Sequence, residues 1–477
     1  MIKILSGMQL KDLIFTMTTA CGLLLSSCTK QALDQKPDIA IAEPTTISDF
    51  QGLLDGIEGG AINNAPGLYS YRSLGDYLAD EVYANDVSYN TYFINNLFIN
   101  GVLKWDKSMF SSLTSCLEWN NGYRIVLNAN IALEGIDGIT PTPGTLSAWN
   151  NVKGMALFIR GQMFYNLAQF WAKPYSAATA ATDQGIVLRL SSDVDQVSKR
   201  TTVQATYDQV ISDLKASIPL LPNSSADNSQ ISKVRPSKAA AYGMLARTCL
   251  AMGDSANVYK YADSALQLYS TLMDLNTITS IVNFNPETVY TSMDQAGTVG
   301  STFGFFTLDS GLVALYDSTD LRKSRFMTLN TATAGINGYV FTGDYTGNYR
   351  FTGIAVDELY LLRAEASARM GNTSAAMTDL NTLLIKRYKT GAFTPRTAAS
   401  AGDALVQIIT ERRKELLMRG CRWTDLRRLN SDPRFTATPA RMVNGAAYSL
   451  PPGDPRYTLQ IPDYVILTAN GSIEQTQ

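Results

Sequence analysis

Carboxylates and arginines are the side chains in this sequence with the numbers and spacing to do chemistry, because histidine is absent from all 477 residues. Without it there is no Ser-His-Asp or Cys-His nucleophile. There is no His-Glu-x-x-His zinc site and no imidazole proton shuttle. Gly-x-Ser-x-Gly, the phosphate loop ending in Gly-Lys-Ser/Thr and Gly-x-Gly-x-x-Gly are absent as well, so no cofactor or metal is expected. The chemistry left open is that of a carboxylate pair, as in a glycoside hydrolase, and Asp76, Asp80, Glu81 and Asp86 are the nearest candidates. Nothing in their spacing sets two of them about 5 to 10 Å apart across a cleft.

A second charged block runs from Glu411 through Arg412, Arg413, Lys414 and Glu415 to Arg422, Asp425, Arg427 and Arg428. Glu411 and Glu415 are one helical turn apart. Arg422, Arg427 and Arg428 follow the stop at Gly420, close enough to fold back on those carboxylates as bidentate forks. This pattern predicts an ion cluster that pins the last long helix, and predicts that Glu411→Ala costs stability and not ligand affinity.

Of the five cysteines, Cys28 has the most telling context. Lys3 and Lys11 precede an apolar run from Leu13 to Leu25, which is too short to span a bilayer. Leu25-Ser26-Ser27-Cys28 then has the form of a lipoprotein signal, with small residues before the cysteine that takes lipid. The expectation is a signal peptide over residues 1–27, a lipid-anchored tether over 28–47 carrying Pro37 and Pro44, and a single domain over 48–477. Several acyl chains on one cysteine give firm anchoring. Cys116, Cys249 and Cys421 are far apart and odd in number, so they read as small buried residues and not as a disulfide framework. The net charge of −2 argues against nucleic acid, which requires a concentrated basic surface.

Helical periodicity dominates the rest of the chain. Residues 119–136 and 149–171 form two long helices, 202–220 a third with Thr202 as N-cap, and 403–418 the last. Two helix pairs, 237–269 and 354–388, share a Met-Gly-Asp/Asn turn at Met252-Gly253-Asp254 and Met370-Gly371-Asn372. Glycine closes one helix and the acidic or amide side chain caps the next. The fold class predicted is mostly α, a tetratricopeptide-like scaffold of helix pairs with long irregular loops and a few short strands. The aromatic-rich stretches 62–110, 271–350 and 431–477 are the loops where binding function sits.

These blocks, in this order, resemble the SusD/RagB family of outer-membrane nutrient-binding lipoproteins over nearly the whole mature chain. The resemblance rests on Leu33 and Pro37 after the lipid cysteine, Tyr123 to Asn130, Arg160 to Phe170 with Pro174 and Tyr175, and Gly185-Ile186. It continues through Arg200 to Pro222, Pro236 to Ala240, Arg350 to Glu365 and, most specifically, Glu411 to Arg428. Arg419-Gly420 in place of the more usual Glu-Gly, and a C-terminal element reduced to Ile461-Pro462, depart from the pattern. The resemblance implies a non-enzymatic, surface-exposed protein that captures glycans and passes them to a SusC-like TonB-dependent transporter. The alternatives are a peptide-binding member, a purely structural lipoprotein or a carboxylate-dependent glycoside hydrolase. Sugars present apolar C–H faces to flat rings and hydroxyls to polar groups. Tyr69, Tyr71, Arg72, Asp86, Tyr89, Asn90 and Tyr92 offer both and are the predicted ligand-binding residues. Phe303, Phe305 and Phe306 form a second aromatic group, read as core because polar neighbours are lacking.

Overall fold

The architecture follows from where the helices begin and end. The computed structural model describes residues 44–58, 61–62, 72–225, 229–294, 304–331, 335, 337–346 and 349–476. Cys28, the tether up to residue 43, Tyr69, Tyr71 and Phe303 lie outside them. Twelve helices carry the argument: α1 (Ile47–Asp55), α2 (Leu74–Leu78), α3 (Leu97–Lys104), α4 (Leu117–Asp137), α5 (Leu146–Trp171), α6 (Val203–Ser217), α7 (Lys238–Met252), α8 (Ser255–Leu268), α9 (Val356–Arg369), α10 (Thr373–Leu384), α11 (Ala401–Glu415) and α12 (Arg422–Leu429).

The caps are those the residue types call for. Thr202, Asp254 and Asn372 accept backbone N–H bonds from Ala205, Asn257 and Ala375 at the starts of α6, α8 and α10. Gly253 and Gly371, at φ of 76° and 86°, take the left-handed turn that ends α7 and lets the chain reverse after α9. The predicted pairs α7–α8 and α9–α10 form, and α8 packs on α9, so the pairs stack as tetratricopeptide-like units do. Helices α4, α5 and α6 pack in sequence on the N-terminal side of that stack. Helix α1 docks on α4 where Gly135 leaves room for the Phe50 ring; a methyl group there would overlap it. Residues Thr46–Gln477 form one compact unit.

The strands are short, and each pairs with a single neighbour among the described residues. Among them are β1 (Val82–Tyr83), β2 (Gln184–Val187), β3 (Arg200–Thr202), β4 (Thr307–Leu308), β5 (Met327–Asn330), β6 (Gly338–Phe341), β7 (Ala440–Val443) and β8 (Ala446–Ser449). Strand β1 pairs antiparallel with β4, Val82 opposite Leu308 and Tyr83 opposite Thr307. Strands β5–β6 and β7–β8 are antiparallel pairs, and Asn444-Gly445, both at positive φ, close the second. That Asn-Gly pair is a hairpin signal within a stretch the sequence reading left as irregular.

The charged block is a structural cluster, but its partners differ from those expected. Glu411 and Glu415 are buried and bind Arg322 at 2.6 and 3.0 Å. Lys414 and Arg396 add to Glu411, and Arg387 to Glu415. Of the arginines predicted to fold back, Arg422 pairs instead with Asp80 and Arg428 with Glu365 and Asp425. Arg427 donates to backbone carbonyls of Ala168, Gln169 and Ala172. The reason is reach. Residues 422–429 form their own helix, which carries these side chains toward α2, α5 and α9, while Arg322 and Arg387 come from elsewhere in the chain.

Candidate ligand-binding site

The two aromatic groups that the sequence kept apart meet in space. The β1–β4 pairing brings Phe305-Phe306 beside the segment 77–93. Tyr77 and Phe93 each lie with ring centroids 4.9 Å from Phe306, and Phe93 lies edge-on to Phe305 at 6.5 Å. Tyr92 stacks on Phe305 at 3.7 Å with an interplanar angle of 13°. Tyr77, Phe93 and Phe306 are buried, Phe305 is half-buried and Tyr92 is 40% exposed. An aromatic ladder thus runs from the core to a ring with an open face.

Local backbone sets that outcome. Asn85 caps the turn Asp86–Ser88 by accepting the Ser88 N–H at 2.8 Å, and its amide donates to the Gly335 carbonyl at 3.0 Å. The chain then opens into one turn of π-helix, Tyr89–Phe93, closed by Ile94 N–H to Tyr89 O at 2.8 Å. Such turns occur mainly as single insertions, often at functional positions. Tyr89 and Phe93 face inward, while Asn90, Thr91 and Tyr92 face solvent.

Next to this segment lies a polar cleft of about 620 Å³, walled by Asp80, residues 82–86, Asp309-Ser310, Arg413 and the 438–442 stretch that leads into β7. Asp86 is exposed on its wall. Burial alone would raise the Asp80 carboxyl, but a bidentate fork from Arg422 and a further contact from Arg413 outweigh it and hold the group at about 2. A permanently ionised, twice-paired carboxylate is unsuited to act as a general acid. Asp76 and Glu81 are buried and accept the backbone N–H groups of Gly420 and Met418 at 2.7 and 3.2 Å. Burial pushes Asp76 up to about 7 and Glu81 well above the usual range. The three carboxylates therefore position the 418–420 turn and α12, and they do not face each other across a cleft.

Among the predicted ligand residues, Asp86, Asn90 and Tyr92 reach the surface. Arg72 does not. It is 2% exposed, donates to Gly420 O at 2.8 Å and lies over the Tyr165 ring at 5.8 Å, because the segment leading into α2 meets the 418–420 turn. Tyr89 is also buried, donating to Asn100 at 3.0 Å and receiving Lys104 at 3.3 Å. Phe305, read as core, is the ring that supports Tyr92. The cleft residues Asp309 and Met442 carry no sequence signal, and Arg413 reads there as part of the charged block, since no local pattern joins segments so far apart. Glu287, Asp357 and Glu415 are the group among the described residues close enough to ligate a metal. Arg387 already bridges Glu287 and Glu415 at 2.6 and 2.7 Å, and Arg419 takes Asp357 at 2.7 Å.

Comparison with known families decides what this scaffold is. Residues 32–250 match a SusD-like family described as starch-binding and associating with outer membrane, and residues 337–458 match the SusD family. The chain belongs to the SusD/RagB family. Solved structures share this fold over most of the chain. A SusD superfamily protein from Bacteroides thetaiotaomicron is 21% identical, with 91% of this chain and 100% of that one aligned at a TM-score of 0.70. A SusD-like carbohydrate binding protein from Bacteroides vulgatus is 21% identical over 90% and 97% of the two chains, TM-score 0.67. Surface glycan-binding protein A from Bacteroides uniformis is 15% identical over 90% and 99%, TM-score 0.69. No curated protein matches the sequence. No helix of this SusD/RagB member among the described residues is long and apolar enough to cross a membrane.

Proposed function

We propose that this protein is a surface lipoprotein, anchored through Cys28, that captures oligosaccharides and delivers them to a SusC-like TonB-dependent transporter in the outer membrane. The observation that carries the reading is the joining of two loop blocks, one N-terminal and one central, into an aromatic face beside a polar cleft on a SusD scaffold. The exposed face of Tyr92 stacks on the apolar side of a sugar ring. Asn90 and Asp86 bond its hydroxyls; Tyr69 and Tyr71, which the sequence also puts forward, lie outside the described residues. The family description and the carbohydrate-binding relatives support the ligand class.

A glycan and peptide array on the soluble form, residues 29–477, tests this. Binding of one or more glycans, with no new reducing ends released, is the expected outcome. Binding confined to peptides would replace the glycan with a peptide ligand, and turnover would make the protein an enzyme.

A further inference from the structure

The polar cleft runs between the outer edges of two strands. Both residues of β1 line it and none of β4 does; Ala440, Arg441 and Met442 of β7 line it and no residue of β8 does. Register then fixes which main-chain groups face the gap, because alternate residues of an antiparallel pair bond toward the partner strand and away from it. Asp309 N–H donates to Glu81 O at 2.8 Å, so Glu81 and Tyr83 bond toward β4, and Val82 and Ala84 turn their N–H and C=O groups away. Leu450 N–H donates to Pro439 O at 2.9 Å, so Pro439, Arg441 and Val443 face β8, and Thr438, Ala440 and Met442 face outward. None of these outward main-chain groups has a hydrogen-bond partner among the described residues.

Proteins usually cover such edges or arm them with charge. Here Thr438, Ala440 and Met442 are exposed and uncharged. A strand in a sheet takes about 4.8 Å of width, 3.3 Å of length per residue and 10 Å of depth, about 160 Å³ for each residue. The cleft's volume of about 620 Å³ therefore suits about four extended residues. Its cations are engaged: Arg413 pairs with Asp80, and Arg441 donates to carbonyls of Tyr77, Ala79, Val102 and Leu103. Its carboxylates Asp86 and Asp309 are in no ion pair among the described residues, so a basic side chain complements them.

We propose that the cleft takes an extended segment of a partner protein as an added strand, hydrogen-bonded to the edges of β1 and β7, with a lysine or arginine of that segment beside Asp309 and Asp86. Main-chain bonds give this kind of pairing its affinity, and alternate side chains give it preference. The inference does not rest on glycan capture, since neither Tyr92 nor Asn90 lines the cleft.

Isothermal titration calorimetry on the full-length protein in detergent tests it with the peptide Thr-Lys-Val-Thr-Lys-Val, blocked at both ends. Saturable one-to-one binding that weakens as salt rises is expected. The same peptide N-methylated at alternate amides keeps its side chains but loses main-chain donors, and should bind at least tenfold more weakly. Hydrogen exchange read by mass spectrometry should slow over residues 82–84 and 438–442 when the unmethylated peptide binds. Met442→Pro removes an outward N–H and leaves the β7–β8 bonds, and Asp309→Asn keeps the cap on the Leu312 N–H. Each should weaken binding several-fold with the melting temperature held; if Met442→Pro fails to fold, the N-methylated peptide decides. No saturable binding, equal affinity for the N-methylated peptide, or unchanged exchange at both edges would overturn the proposal. Binding only when the peptide ends are free would overturn it too, by making the ligand a short free peptide.

Discussion

At the scale of single residues, exposure separates binding side chains from scaffold ones. Tyr89 and Tyr92 are three positions apart and chemically identical, yet one is sealed against Asn100 and Lys104 and the other offers an open ring. Tyr92→Ala should therefore cost at least tenfold in glycan affinity, about 1.4 kcal/mol, while shifting the melting temperature little; unchanged affinity would remove Tyr92 from the site. Asp76 makes a different prediction. Its carboxyl is raised to about 7, first by burial, with one oxygen lacking a partner. The folded form binds this proton more tightly than the unfolded chain. The stability it contributes is thus fully present below about pH 4 and is lost as pH rises through about 7, at up to about 1.4 kcal/mol per pH unit. Asn mimics the protonated form. The stability of Asp76→Asn relative to wild type should rise between about pH 5 and pH 8, and parallel melting curves across that range would refute the assignment.

At the scale of elements, buried arginines tie segments together that local sequence cannot join. Arg441 on β7 donates to Tyr77 and Ala79 at the end of α2 and to Val102 and Leu103 at the end of α3. Its guanidinium also lies 4.4 Å from the Trp105 ring centroid. One planar fork thus caps two helices, which a single ammonium lacks the donors and breadth to do. Arg441→Lys should destabilise by about 3 kcal/mol through carbonyls left unpaired, measured by denaturant unfolding; a loss below about 0.5 kcal/mol would show that water replaces the fork. Glu411→Ala takes one carboxylate from Arg322, which keeps Asp320 and Glu415, and removes it from Lys414 and Arg396 as well; removing one partner of such a buried cluster costs about 3–5 kcal/mol. Glycan affinity should hold in that variant. A protein that melts like wild type but fails to bind would return the charged block to the ligand site.

For the whole molecule, the helix-pair stack holds the loops in place, and the lipid would hold the stack at a surface. Cys28→Ala should move the protein from the membrane fraction to the soluble fraction while its melting temperature stays within a few degrees. Mass spectrometry of the native protein should find fatty acid on residue 28, and an unmodified thiol there would end the anchoring proposal.

The sequence by itself determined the long helices α4 to α11, with the caps and pairing of α7–α8 and α9–α10, because these depend on contacts three or four residues apart; the short helices α1, α2, α3 and α12 carry too few turns to show a period. Thr202, Asp254 and Asn372 with Gly253 and Gly371 announce their turns locally. It also excluded histidine chemistry outright. Only the tertiary structure decided which carboxylate each arginine meets, that Arg72 and Tyr89 are buried, and that Phe305 supports Tyr92. Any arginine can pair with any carboxylate and any ring can stack on another. The choice among them is made by tertiary contacts, some as distant in sequence as Val82 on Leu308, which no local pattern encodes.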